Sequence, residues 1–255
     1  MRNRQYLHAT ISELRPSFFF LQEIWLPFCE ESKMRQYLPD YEFQIVTPDM
    51  FTPAEDKICM PDQNWHGAGI AWHQSLDSSK ISVKNVNERF TGVKLQMESQ
   101  VIFVISAYLP TSGKDTEFLE CIQELYNYVI SNKNSEDIVI IGCDSNCSEI
   151  STSRRITALD NLCEELSLKK LRCNSPTFHH NNGSSEANLD YFLVSESNIS
   201  IFSSPRILCT LDNILNLSAH DVVVSSLHIA KNMSSEISED RFKNTFTSLT
   251  QLKAM

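Results

Sequence analysis

The sequence predicts one α/β domain in which strands stack as two sheets with helices outside. Three observations predict it. Short apolar runs of strand length recur along the chain, with amphipathic helical stretches between them. Neither a repeat nor a linker divides the 255 residues, a length sufficient for one large core. Hydrophobic residues make up 42% and charged residues 21%, the balance of a globular chain rather than a disordered one.

Residues 5–14 read as a helix with Tyr6, Leu7, Ile11 and Leu14 on roughly one face, and Pro16 limits it. Residues 17–21, Ser-Phe-Phe-Phe-Leu, are a continuous apolar strand. Further strands are expected at 43–47, 68–73, 81–85, 91–97 and 101–108. The last two are separated by Glu98, Ser99 and Gln100, a connection short enough for a hairpin. The polar stretch 49–64, with Pro48, Pro53 and Pro61 in and beside it, reads as a surface loop before the Gly67-Ala68-Gly69 turn.

A helix fits 116–130, because Phe118, Ile122, Leu125 and Val129 join Leu119, Tyr126 and Ile130 in a broad apolar stripe. Residues 138–141 are a β-branched strand and 155–166 a second amphipathic helix. Strands are expected at 191–194, 199–202 and 222–229. Residues 231–255 are polar and Ser/Thr-rich, so the expected division is a domain at 1–230 and a loose tail or weak helix after it.

Composition excludes several classes. No apolar run is long enough to span a bilayer, and nothing of signal-peptide type follows the basic start Met1-Arg2-Asn3-Arg4. The expected location is therefore intracellular, nuclear or cytoplasmic. The eight cysteines contain no C-x-x-C pair and read as buried, reduced thiols. A net charge of −10 argues against nonspecific grip on nucleic acid, although a cation-binding site can gather carboxylates locally. No phosphate loop, dinucleotide fingerprint or nucleophile elbow occurs, and six glycines leave little room for one.

The residues able to carry chemistry stand at strand ends. Glu23 closes an apolar strand, where a carboxylate would face a loop cleft. Asp144 and Asn146 follow the 138–141 strand through Gly142, and a spacing of two aims both the same way if the backbone stays extended. Asp can activate water and the Asn amide can donate to a phosphate oxygen, yet Gly-Cys-Asp-Ser-Asn also suits a plain turn. Asp190 and His220 lie on separate strand ends; if they meet, the carboxylate fixes the imidazole tautomer and stabilises its cation. Tyr108 could place a hydroxyl on phosphate or could be a core aromatic, and Thr177 is a weaker candidate of the same kind.

In order along the chain, Gln22-Glu23, Gly67-Ala68-Gly69-Ile70, Tyr108-Leu109-Pro110, Asp144-x-Asn146, Leu189-Asp190-Tyr191 and Ser218-x-His220 resemble the endonuclease/exonuclease/phosphatase superfamily over roughly residues 3–230. The flavour is that of endonuclease domains of non-LTR retrotransposons, which are similar to apurinic/apyrimidinic endonucleases. The resemblance implies a four-layered α/β sandwich of two mixed sheets and Mg²⁺-dependent (or Mn²⁺-dependent) phosphodiester hydrolysis. It would make Glu23 a metal ligand and Asp144 the group serving water or the leaving oxygen. Asn146, Tyr108, Thr177 and Ser218 would hold substrate, and Asp190 would orient His220 on the scissile phosphate. The implied partner is DNA, nicked to leave a 3′-hydroxyl that primes reverse transcription.

Two departures stand out. The resemblance implies an opening strand with an Asn before the first helix, whereas here the helix begins almost at Met1, so that strand is expected to be absent and the domain truncated. The last motif would read Ser-Asp-His, whereas this chain has Ala219; Asp221 is one residue out of step and should face the other way. The expected function is thus a retroelement-derived DNA endonuclease, impaired in this copy. The alternatives are a non-catalytic remnant acting as a binding module and a phosphatase of the same fold.

Overall fold

Apolar side chains on both faces of a strand require cover on both faces, and the long runs of Phe, Val and Ile here receive it. In the computed structural model, which describes residues 2–24, 31–51, 67–85, 87–148, 153–180, 183–208, 219–229 and 244–252, they pair into two stacked six-stranded sheets. The elements are α1 (Arg2–Leu14), β1 (Phe18–Ile24), α2 (Glu31–Tyr37), β2 (Tyr41–Val46), α3 (Pro48–Phe51), β3 (Ala68–His73), β4 (Ile81–Asn85), β5 (Phe90–Gln96), β6 (Val101–Tyr108), α4 (Asp115–Asn132), β7 (Ile138–Asp144), α5 (Arg154–Leu166), β8 (Leu168–Leu171), β9 (Phe178–His179), β10 (Glu186–Ala187), β11 (Asp190–Ser195), β12 (Arg206–Ile207), β13 (Val223–Leu227) and β14 (Asn244–Leu252).

The first sheet has the order β12-β13-β14-β1-β3-β2 and the second β4-β5-β6-β7-β11-β8. Phe18, Phe20, Ile70, Val104, Ile140, Phe192 and Val223 fill the space between them. Ile11 of α1 and Met34 of α2 cover Phe19 and Leu21 on the outer face of the first sheet. Phe118, Leu125 and Leu162, from α4 and α5, cover Ile105, Ile141 and Leu193 on the outer face of the second. This is the four-layered sandwich expected from the sequence. Full burial of each such side chain contributes about 1.5–3 kcal/mol.

Pairing in the second sheet levels the strand ends that matter. The expected hairpin joins β5 and β6 from Phe90↔Ala107 to Gln96↔Val101. Helix α4 then lies between β6 and β7 in the chain, and these two strands pair in parallel. Tyr108 therefore lies level with Asp144, and β11, antiparallel to β7, sets Asp190 level with Asp144 on the other side.

Two fully buried features hold the sheets together beneath those ends. Gln22 Nε2 donates to Ser106 Oγ at 3.0 Å and to the Gly142 carbonyl at 3.1 Å, while Ser106 Oγ donates to the Leu21 carbonyl at 2.9 Å. At Gly142 a Cβ would come within 2.5 Å of the Phe20 ring, so only glycine permits this approach of the sheets.

Three expectations need correction. Residues 199–202, expected as a strand, begin in the 3-10 helix Glu196–Ile201. The loop expected at 49–64 opens inside α3, and its remainder lies outside the described residues. The tail after residue 230 is not wholly outside the domain. β14 sits inside the first sheet, parallel to β1 and antiparallel to β13. No described strand precedes α1, yet β1 and β13 are not left as edges, because β14 pairs with both.

Candidate functional site

Carboxylates at strand ends are expensive to bury, so their convergence calls for a compensating partner. Asp144 is 1% exposed, Asp190 0% and His220 5%. One ligand atom from each lies within 4.8 Å of the others. His220 Nδ1 is 2.9 Å from Asp190 Oδ2, the contact expected from the sequence. The imidazole also stands edge-on to Phe178, with ring centroids 4.9 Å apart.

Burial pulls the His220 pKa down, but Asp190 first and then Asp144 outweigh it and push it up to about 9. Burial pushes Asp144 up to about 8, with Asp190 and Glu23 adding, against the lowering influence of His220 and of the Asn146 N–H. The cluster therefore carries excess negative potential that a cation would relieve. Asp190 Oδ1 is buried with no hydrogen-bond partner among the described residues. An acceptor left open among carboxylates suits a hard divalent cation, whereas His220, held protonated, offers no lone pair to one. The residues fit the implied metal.

Glu23 comes to the cluster from the first sheet. It is partly buried and holds left-handed backbone (φ 52) one residue before β1 ends. Tyr108 Oη donates to Glu23 Oε1 at 3.4 Å. Burial foremost, then the charges of Glu23 and Asp144, keeps the Tyr108 hydroxyl protonated far above its ordinary range. Tyr108 is thus a fixed donor at this end of the sandwich.

Asn146 reaches its place differently from the expectation. Its backbone is also left-handed (φ 47), so a tight turn replaces the extended spacing of two. Its N–H donates to Asp144 Oδ1 at 3.1 Å, and Nδ2 donates to the Leu109 carbonyl at 2.8 Å. The turn that these residues also suited is what the backbone adopts here.

Thr177 does not lie on an open surface. It is fully buried, and its Oγ1 accepts from the N–H groups of Leu189 and Asp190, each at 3.0 Å. This corrects the substrate contact expected for it, because Thr177 positions the backbone of Asp190 instead. Ser218 lies outside the described residues. Asp221 turns away as expected and meets His179 Nε2 at 3.0 Å, so it does not replace the carboxylate absent at Ala219.

Sequence reasoning missed Arg89. It is 8% exposed, its guanidinium carbon lies 5.9 Å from the Tyr108 ring centroid, and it meets Glu117 at 3.6 Å. No local pattern marks it, since it precedes a strand as any solvent-facing charge would.

No protein-family model matches the chain, and no curated protein sequence matches it. Solved structures do. An apurinic/apyrimidinic endonuclease from Archaeoglobus fulgidus superposes with a TM-score of 0.68 at 13% identity, covering 89% of this chain and 95% of that one. A 3′ phosphatase from Neisseria, bound to a product DNA hairpin, gives 0.66 at 12% identity, covering 87% and 92%. The endonuclease domain of TRAS1, a telomere-specific non-LTR retrotransposon, gives 0.56 at 17% identity, covering 85% and 100%. The chain has the fold of the endonuclease/exonuclease/phosphatase superfamily.

Proposed function

We propose that the protein is a retroelement-derived DNA endonuclease, hydrolysing a phosphodiester with Mg²⁺ and leaving a 3′-hydroxyl. The observation that carries this reading is the buried Asp144–Asp190–His220 cluster, with Glu23 and Tyr108 beside it. Glu23, with Asp144 near it, would hold a divalent cation that polarises phosphoryl oxygen and offsets negative charge. His220, kept cationic by Asp190, attracts the scissile phosphate. Tyr108 supplies a neutral donor to a phosphate oxygen, and Asp144, once ionised, takes a proton from water or serves the leaving oxygen.

One observation favours a second reading, a binding module without catalysis. Position 219 carries no carboxylate, and Asp221 is engaged by His179. Supercoiled-plasmid nicking by the purified chain, with Mg²⁺ and with EDTA, decides between them. Metal-dependent nicking that disappears in His220→Ala supports the endonuclease. A folded chain that binds duplex DNA and leaves the plasmid closed supports the module.

A further inference from the structure

Residues 177–179 are bonded to both members of the Asp190–His220 pair. The ladder of β13 begins only at Val223, so His220 takes its place from other bonds. Phe178 and His220 form an antiparallel bridge. It is flanked by bonds from the His179 N–H to the Ala219 carbonyl and from the Asp221 N–H to the Thr177 carbonyl, each 2.7 Å. On its other side β9 pairs with β10, His179 opposite Glu186 and Phe178 opposite Ala187. The Thr177 N–H donates to the Ala187 carbonyl at 2.9 Å, and Thr177 Oγ1 accepts from the Asp190 N–H at 3.0 Å. One short segment thus fixes the backbone of Asp190 through Thr177 and that of His220 through Phe178 and His179.

So short a ladder is weak by itself, because two-stranded pairing is marginal without side-chain support. The side chain of His179 supplies that support. Its Nε2 lies 3.0 Å from Asp221 Oδ2 and its Nδ1 3.2 Å from Glu186 Oε1. A carboxylate only accepts, so the bond to Asp221 uses an N–H at Nε2. Asp221 is the diagonal neighbour of His179 across the bridge, a position within reach of long side chains. We propose that His179 is a positioning residue for His220, clamping Asp221 to β9 and so holding the His220 ring against Phe178 and toward Asp190. As a role in catalysis the proposal rests on the endonuclease reading above. The clamp itself is a property of the folded chain, legible without turnover.

Two amide replacements separate the bonds that His179 makes. A glutamine amide reaches the position of Nε2 and keeps a donor to Asp221, whereas an asparagine amide reaches only that of Nδ1, toward Glu186. His179→Ala, His179→Asn and His179→Gln are compared with the parent chain by nicking, by melting, and by the carbon-bound ring-proton resonance of His220 in EDTA, which the ring current of Phe178 displaces. In His179→Ala kcat should fall on the order of 10-fold with KM unchanged, a part of the ~10²-fold that misplacement by about 1 Å can cost. The His220 resonance should move toward that of a solvent-exposed histidine. His179→Asn should match the alanine variant, and His179→Gln should recover most of the rate and the parent resonance. The His179 side chain is 45% exposed, so all three variants should fold. If the alanine variant does not, the glutamine and asparagine pair carries the same comparison. Full activity and an unmoved His220 resonance in His179→Ala would overturn the proposal and leave the endonuclease reading intact. Equal losses in His179→Gln and His179→Asn would overturn it too, since the loss would not follow the bond to Asp221. If the parent chain does not nick, the endonuclease reading fails instead, and the resonance decides. A shift in His179→Asn that His179→Gln does not share supports the clamp, and the same resonance in both variants overturns it.

Discussion

The two sheets build their halves of the site by different means. The second sheet offers Tyr108, Asp144 and Asp190 from three strands paired side by side, so one register fixes all three. The first sheet offers Glu23 from β1 and His220 from the segment leading into β13, two strands separated by β14 from the far end of the chain. The halves are joined by the Asp190–His220 contact and, beneath it, by the Gln22–Ser106–Gly142 network. The second-sheet half is thus set by strand pairing alone, whereas the first-sheet half depends on contacts across the sandwich.

Cutting the contact across the sandwich is the strongest test of that contrast. In Asp190→Ala the imidazole of His220 loses the buried carboxylate that keeps it charged. Loss of one partner of a buried ion pair costs about 3–5 kcal/mol. Nicking should fall on the order of 10³-fold or more, with a lowered melting temperature. A variant that melts normally and still nicks would show that strand pairing alone places His220.

The pH dependence of stability separates the halves next. Asp144 has a folded pKa near 8, above its ordinary carboxylate value. Its contribution to stability is complete in acid and is lost as pH rises from about 4 to about 8. His220, near 9, contributes fully below its ordinary value and loses that contribution as pH rises through 9. In EDTA the protein should therefore melt at progressively lower temperature between pH 5 and 9, by an amount worth a few kcal/mol. Asp144→Asn should flatten most of this slope, and Mg²⁺ should raise the melting temperature chiefly at the alkaline end. A flat profile in the parent chain would mean that the cluster is less buried than its geometry shows.

The packing beneath the site gives a smaller effect. Gly142→Ala would place a methyl group 2.5 Å from Phe20. Overpacking of this kind costs about 1–3 kcal/mol. Denaturant unfolding of the variant measures it directly, and an unchanged midpoint would show that the sheets have slack where the coordinates show none.

Legibility in the sequence followed the same division. The second sheet was readable because its strands are β-branched runs joined by a three-residue turn and by amphipathic helices, all local signals. Glu23, Tyr108, Asp144, Asp190 and His220 could be located because each stands at one end of an apolar run, the first three where it closes and the last two before it begins. β14 could not be read. Phe246, Leu249 and Leu252 recur every three residues, a spacing nearer to a helical face than to a strand, and its identity comes from pairing with residues more than two hundred positions away. Thr177 was misjudged for a related reason, since its bonds to the backbone of residues 189 and 190 depend on a chain reversal that spacing does not reveal. The left-handed backbone of Glu23 was likewise hidden, because a glutamate at a strand end does not announce it, whereas Asn146 is of a type that favours it and its turn was open to reading.

The smallest effect concerns position 219, where the first-sheet half lacks a carboxylate. Ala219 precedes His220, and its carbonyl accepts from the His179 N–H at 2.7 Å, so its backbone is held whatever side chain it bears. Asp221, the nearest acid in sequence, is paired with His179. Ala219→Asp should therefore add a carboxylate without disturbing the strand. Support for a metal of this kind is typically worth about 10–100-fold in affinity or activity. The expected outcome is tighter Mg²⁺ binding by titration calorimetry and faster nicking, nearer ten-fold because Glu23 and Asp144 already supply the main charge. The same substitution in Asp221→Asn should give the same gain. If instead Asp221→Asn alone weakens Mg²⁺ binding in the parent chain, the carboxylate one residue out of step serves the site through movement of the His179 pair, and the two halves are less rigidly divided than their registers imply.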